Sequence, residues 1–337
     1  MRLAVRNLSQ LEKSNSFFSS LSRFADRIRH RLRANTVKGS RHNIHAHYDL
    51  SNEFFRLFLD QSMVYSCAWY ESPEGSLETA QFQKLDRICR KLDLKPQDRV
   101  LEIGTGWGGF ALHAARNYGC RVTTTTISQQ PYEHARALFD TANTGQPIEL
   151  LLKDYRELSG SFNKIVRIEM FEAVEFEHYD EFFSACNRLL KPDGSMLLQT
   201  ITMNEQRFAR YLKQCDWIQK YIFPGAQLAS LRGVLDSLAR ATRLSLFHAE
   251  DMGVHYARTL GAWREHFLNA IDEVKALGFD DRFIRMWNYY LAFCEGAFPE
   301  RHISDFQLLL TKNYNPRPLF QEPWRLALKA ERQETLV

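Results

Sequence analysis

A dense glycine turn between a strand pattern and a helix pattern constrains this chain more than any other feature. The run Leu101-Glu102-Ile103-Gly104-Thr105-Gly106-Trp107-Gly108-Gly109-Phe110 closes the apolar stretch RVLEIG and opens GFALHAARNYG, a helical pattern ended by Gly119. Glycines there allow a tight turn and close approach of a ligand to the backbone, while the start of the helix presents free N–H groups. Strands and helices alternate on from this point. RVTTTTIS is a β-branched strand, and PYEHARALFDTA is a helix with Pro131 near its start. IELLLKD and KIVRIEM read as strands, YDEFFSACNRLLKPDG as a helix with a Pro-Asp-Gly stop, and SMLLQTIT as a strand. Repeated β-α units predict an α/β fold of Rossmann-like type, with a mostly parallel sheet covered by helices on both faces. From about 204 to 300 the pattern is mostly helical and rich in Trp, Tyr and Phe, and QLLLTKN near 307–313 reads as a last strand returning to the sheet.

A G-x-G-x-x-G match alone also fits a dinucleotide site. Three details favour S-adenosylmethionine. Glu102 stands just before the first glycine, where dehydrogenases place an apolar residue; the glycines, Gly108 among them, are unusually dense; and no acid ends the second strand, TTTTIS, where an NAD site needs its ribose-binding carboxylate.

Charge is uneven. Residues 1–41 hold ten basic side chains against Glu12 and Asp26, a net +8 in a chain whose total is +4, so the remainder is acidic. Within this arm Phe17, Leu21, Phe24, Ile28 and Leu32 recur at helical spacing, with arginines on the other faces. The arm is read either as an amphipathic helix on an anionic membrane surface or as a helix packed on its own domain; nucleic acid is a third option and is not adopted. No run reaches the roughly 18 apolar residues of a membrane span. The first residues lack the apolar stretch of a secretory signal. The six cysteines show no metal or CxxC spacing, so they read as reduced thiols of a cytoplasmic protein, associated peripherally with the inner face of the membrane. His45 and His47 have no partner acids or thiols at metal spacing, and no metal is expected.

The segments NIHAHYDLSNEFF, SMVYSCAWY, VLEIGTGWGGFALHAA, LLKDYREL, IEMFEAV, QTIT, DWIQKYIFPG, HYARTL and YYLAFCEGAF occur in order over roughly residues 38–315. They resemble the cyclopropane-fatty-acyl-phospholipid synthase family, which includes the mycolic acid cyclopropane synthases. The resemblance implies a class I methyltransferase fold with a helical lipid-binding cap: a domain over 42–337, with the helical insertion at about 204–300, behind the arm 1–41. It implies transfer of the S-adenosylmethionine methyl carbon to the cis double bond of an unsaturated phospholipid acyl chain, through a carbocation that loses a proton to close a ring. It implies bicarbonate as the base, with ligands at Cys67, Glu172, Gln199, Ile201 (through its backbone) and Tyr256, and a further catalytic cysteine at Cys294. Cofactor contacts fall on Tyr65, Ser66, Gly104, Gly106, Thr126, Ile127, Asp154 and Tyr155, with Glu102 in the same motif. A homodimer is compatible with this reading.

The chain departs from the family at several places. Gln199 stands where His is common, Pro131 replaces a Gln, Arg167 a small residue, Glu175 a glycine and Ala229 a Pro. Arg167 and Glu175 are opposite in sign and are expected to pair, since a lone cation there would oppose a sulfonium. Two other outcomes stay open: another lipid C-methylation product, and a partner subunit that keeps the fold without efficient chemistry.

Overall fold

The computed structural model describes residues 1–7 and 50–315. The arm's amphipathic stripe, the histidines of HAHYD and the C-terminal residues from 316 lie outside the described residues.

Strand β1 (Arg99–Ile103) is buried at every residue after its first, so it needs cover on both faces. It lies near the middle of a seven-stranded sheet with order β3-β2-β1-β4-β5-β7-β6. Its neighbours β2 (Arg121–Thr126) and β4 (Phe162–Ile168) are parallel to it, as are β3 (Ile148–Leu152) to β2 and β5 (Leu190–Met203) to β4. The last strand, β7 (Ile303–Lys312), returns antiparallel beside β5, and β6 (Leu244–Asp251) pairs antiparallel with β7.

Alternation sorts the apolar residues into two layers. Val100, Val122, Val166, Leu197 and Leu309 pack against the helices Leu77–Lys91 and Gly109–Tyr118. Leu101, Ile103, Ile165, Met196, Leu198 and Leu308 point the other way, onto Phe182 and Phe183 of helix Tyr179–Leu189 and Leu238 of helix Leu231–Ala241. A third, aromatic-rich core belongs to a cap built from residues 54–70, the segment after β5, and the helices Gly253–Asn269 and Asp281–Ala297. Trp107 of the glycine turn joins this core, stacking near Phe55 and donating to Asn52 (2.8 Å). The cap therefore sits on the carboxyl edge of the sheet, over the turn.

Two elements differ from expectation. The stretch 204–300 is not helical throughout, because β6 lies within it. Most β6 side chains are exposed, so the strand carries no apolar alternation, and pairing with β7 creates it. Strand β5 begins at Leu190 rather than after Gly194, with a register irregularity opposite Phe162 and Lys164. At the other end of the chain, residues 1–7 are docked on the core: Val5 is buried, and Arg2 and Arg6 both pair with Glu300.

The edge strand is held by charge. Lys91 is fully buried and donates to Glu250 of β6 (2.6 Å) and Gln307 of β7 (2.7 Å), and Arg87 forks onto the same Glu250. Removing one partner of a buried pair leaves an uncompensated charge, so Glu250→Ala should cost about 3–5 kcal/mol. A denaturant midpoint equal to wild type would show that Glu250 does not hold β6.

Candidate active site

Three glycines of the turn have left-handed backbones: Gly104 (φ 100°), Gly106 (φ 52°) and Gly108 (φ 96°). Their surroundings differ. A Cβ at Gly106 would meet nothing within 4 Å, so open space lies above that backbone. A Cβ at Gly108 would strike Phe139 at 2.9 Å. Gly108 therefore caps the following helix and packs, and it does not line the cavity. Glu102, at the end of β1, is buried, accepts from the Thr124 hydroxyl (2.6 Å) and is pushed up to about 8 by burial.

The open space has two lobes that meet at Gly104, Gly106, Met170 and Ala173. The smaller lobe is lined by Thr126, Ile127, Asp154 and Tyr155, the predicted cofactor contacts at the ends of β2 and β3, and also by Pro131, Arg167 and Glu175. Burial raises the Asp154 carboxyl, but the Arg156 guanidinium hydrogen-bonded to it more than offsets this and leaves it below its ordinary value. Arg167 does not take Glu175 as its partner. Its guanidinium donates to the Met170 carbonyl and lies over the rings of Phe182 (4.8 Å) and Tyr155 (6.0 Å). This cation is held by rings in the smaller lobe, away from the cap.

The larger lobe is a cavity of about 570 Å³, within the ordinary range for a small-molecule site. Tyr65, Ser66, Glu102 and Ile201 line it near the turn. Tyr65 is hydrogen-bonded to Tyr290 (2.9 Å), and the Ser66 hydroxyl accepts from buried Lys84 (2.7 Å). Beyond them the walls are apolar and aromatic, with Trp217, Phe223 and Phe293 among the cap residues, and Arg207 and Arg210 also border the cavity. Cys294 lies on this wall, its thiol pushed up by burial and by Asp216. That setting does not make a nucleophile.

Carboxyls gather where the cavity meets the sheet. Glu172 accepts from the Thr200 hydroxyl (2.8 Å) and the Ile201 N–H (2.7 Å) through Oε1, while its buried Oε2 has no hydrogen-bond partner. Burial and nearby Glu169 push Glu172 up to about 7. Glu169, which the sequence alone did not single out, follows β4 directly with φ 43° and lines the same cavity. Its Oε1 accepts from the Cys67 N–H (2.7 Å) and the Gln199 side-chain amide (2.7 Å), and its Oε2 from the Tyr256 hydroxyl (2.6 Å). Gln199 also donates to Asp305 (3.0 Å), whose carboxyl burial and the two glutamates hold well above the usual range. Lys84 stands opposite this cluster and is brought down to about 8 by burial, against the pull of Glu169. The Cys67 thiol is fully buried and raised by burial, so Cys67 offers its backbone N–H and not a thiolate.

The structure thus brings Cys67, Glu172, Gln199, Ile201 and Tyr256 together, but a bicarbonate ion does not fit among them. The N–H and O–H donors of Cys67, Gln199 and Tyr256 are taken by Glu169, and the Ile201 N–H by Glu172. A second anion there would meet two carboxylates without free donors. A signal for Glu169 was present in IEMFE: a carboxylate at the carboxyl end of a parallel strand stands where open α/β sheets bind ligands.

A glycine cradle after β1 beneath a capped, largely parallel sheet defines the class I, S-adenosylmethionine-dependent methyltransferase fold. The chain belongs to the mycolic acid cyclopropane synthetase family, whose model matches residues 35–308. It is 37% identical over 284 residues to the tuberculostearic acid methyltransferase UfaA1 of Mycobacterium tuberculosis, covering 82% of this chain, and 41% identical over 266 residues to the cyclopropane-fatty-acyl-phospholipid synthase of Escherichia coli K12, covering 79%. It spans 66% of the length of each of these relatives. The crystal structure of the mycolic acid cyclopropane synthase CmaA1 complexed with SAH and CTAB superposes with a TM-score of 0.75 at 33% identity, covering 80% of this chain and 97% of that one.

Two outcomes test the cradle. Gly106→Val places a branched side chain in the open space above the turn, and calorimetry should then detect no S-adenosylhomocysteine binding; undiminished affinity would remove the ligand from this turn. The second concerns pH. Glu102 and Glu172 bind protons in the folded state at about 8 and 7, whereas an unfolded glutamate releases its proton near 4.3. The stability they contribute is full below the unfolded value and is lost as pH rises through the folded values. Melting temperature should therefore fall from about pH 5 to about pH 8, and less steeply in Glu102→Gln. An identical slope in that variant would contradict the assignment to Glu102.

Proposed function

We propose that the chain transfers the methyl carbon of S-adenosylmethionine to the cis double bond of an unsaturated fatty acyl chain carried by a phospholipid, forming a cyclopropane ring. The observation that carries this is the adjacency of the two lobes, which share Gly104, Gly106, Met170 and Ala173 as walls. The glycine cradle and Glu102 line the apolar, aromatic-walled cavity, and Glu169 and Glu172 line it next in sequence to Met170 and Ala173, which both lobes share. The names of the relatives support the same chemistry on lipid acyl chains.

S-adenosylmethionine, when bound, supplies an electrophilic methyl group to the alkene. Gly104 and Gly106 let its body approach the backbone, Tyr65 and Ser66 close the cap side, and Thr126, Ile127, Asp154 and Tyr155 form the smaller lobe for its nucleoside end. The cap excludes water from a cationic intermediate, and the acids at the junction favour positive charge there. Glu172 keeps the Ile201 backbone and the Thr200 hydroxyl in place beside the reacting carbon.

Arg207 and Arg210 suit an anionic headgroup outside the cavity, and the basic arm suits an anionic membrane surface on the cytoplasmic side. No helix among the described residues is long and apolar enough to cross a membrane.

Vesicles of unsaturated phospholipid, incubated with labelled S-adenosylmethionine, should yield acyl chains heavier by one methylene and free of the alkene. A product of that mass that retains a double bond would replace ring closure by branching. No labelled lipid at all would leave the fold without this chemistry. Glu172→Ala should lower kcat by about a hundredfold, the scale of a site displaced by about an ångström, with S-adenosylhomocysteine affinity little changed. Full activity in that variant would remove Glu172 from the reaction.

A further inference from the structure

We propose that Glu169 is the reaction's general base, a carboxylate built into the chain that takes the place of a diffusible anion. The inference rests on the proposed methyl transfer to an alkene and goes beyond it by naming where the proton goes.

Three observations carry it. The first is convergence. Donors from three separate parts of the chain end on one carboxylate: the Cys67 N–H from the 54–70 segment of the cap, the Gln199 amide from β5, and the Tyr256 hydroxyl from helix Gly253–Asn269. All three distances, 2.6–2.7 Å, are those of charge-assisted bonds. A donor set of this kind is a built anion site, and its occupant is covalently part of the protein. The second is position. Glu169 lines the large cavity with Glu102, Gly104 and Met170, the last two of which also line the cofactor lobe. The third is the backbone. Glu169 has φ 43°, a left-handed conformation that favours glycine. Such an outlier held by its surroundings marks a site where the side chain is needed. Its own N–H donates to the Gln199 carbonyl (2.9 Å), which fixes the turn.

The neighbours suit the role. Burial raises the Glu169 carboxyl against the pull of its donors and of Lys84, so it is more basic than an exposed glutamate. Burial and the two glutamates hold the Asp305 carboxyl well above its ordinary range, and Glu172 is engaged by Thr200 and Ile201. In the closing step a C–H bond of the transferred carbon breaks and its proton passes to a Glu169 oxygen. The electron pair left behind forms the third C–C bond of the ring at the cationic carbon. S-adenosylhomocysteine leaves neutral, and the Glu169 acid returns its proton to solvent, so each turnover releases one proton.

The test compares wild type, Glu169→Gln and Glu169→Gly in buffer freed of carbon dioxide and in the same buffer with added bicarbonate. Product formation on unsaturated phospholipid vesicles is measured, together with binding of isotope-labelled bicarbonate and of S-adenosylhomocysteine. Glycine suits the left-handed backbone, and glutamine keeps the shape, so both variants should bind S-adenosylhomocysteine. Wild type should turn over equally in both buffers and bind no bicarbonate. Both variants should slow by about a hundredfold or more without bicarbonate. Added bicarbonate should bind to and rescue Glu169→Gly, whose emptied donors admit an anion, and should not rescue Glu169→Gln. A wild-type rate that rises with bicarbonate, an undiminished rate in either variant, or a Glu169→Gly protein that bicarbonate neither binds nor rescues would overturn the proposal. If wild type makes no product at all, the alkene-transfer reading fails. Bicarbonate binding then decides the anion site separately: binding to Glu169→Gly alone supports it, and any other pattern overturns it.

Discussion

A carboxylate taken out of water must find donors or give up its charge. The structure meets that constraint at the end of β4, where the protein gathers Glu169, Glu172 and Asp305 beneath the cap. Glu169 draws on the segment around Cys67, on β5 and on helix Gly253–Asn269, and so ties the cap to the sheet. Glu172 draws on β5 one and two residues further along, at Thr200 and Ile201. The cap could not shift from the sheet without stranding Glu169, so the same bonds that satisfy it also set the position of the cavity over the glycine turn. Fold and site share one set of hydrogen bonds here.

Electrostatics divide the site into two unlike halves. Where the cavity meets the sheet, acids prevail, and Lys84 faces them. In the smaller lobe Arg156 pairs with Asp154, and Arg167 lies against Tyr155 and Phe182. The Arg167 guanidinium is held by these ring faces and by the Met170 carbonyl. Opposite charges eight positions apart suggested an Arg167–Glu175 pair; the aromatic side chains of helix Tyr179–Leu189 and of the turn after β3 compete for the same guanidinium and hold it.

The sheet was legible because its signals are local. Apolar alternation through β1, β4 and β5, the glycines at 104, 106 and 108, and the returning strand near 307–313 can all be read within windows of ten residues. Strand β6 was not legible. Its exposed Ser245, Leu246 and Phe247 form no pattern, and its existence depends on β7 and on Lys91, which lies far away in sequence. The candidate site was legible in part for the same reason. Cys67, Glu172, Gln199, Ile201 and Tyr256 could be placed by motif, and they do lie together. The group that unites three of them could not, because Glu169 acquires its role only when donors at positions 67, 199 and 256 converge on it.

The central claim is that the chain supplies its own base at the junction of the two lobes. A crystal structure with S-adenosylhomocysteine and a long alkyl chain in the cavity, grown in the presence of bicarbonate, tests it most directly. The account predicts the Glu169 carboxylate on Cys67, Gln199 and Tyr256, facing the space between the thioether sulfur and the alkyl chain. A separate anion on those three donors, with Glu169 turned away, would contradict it.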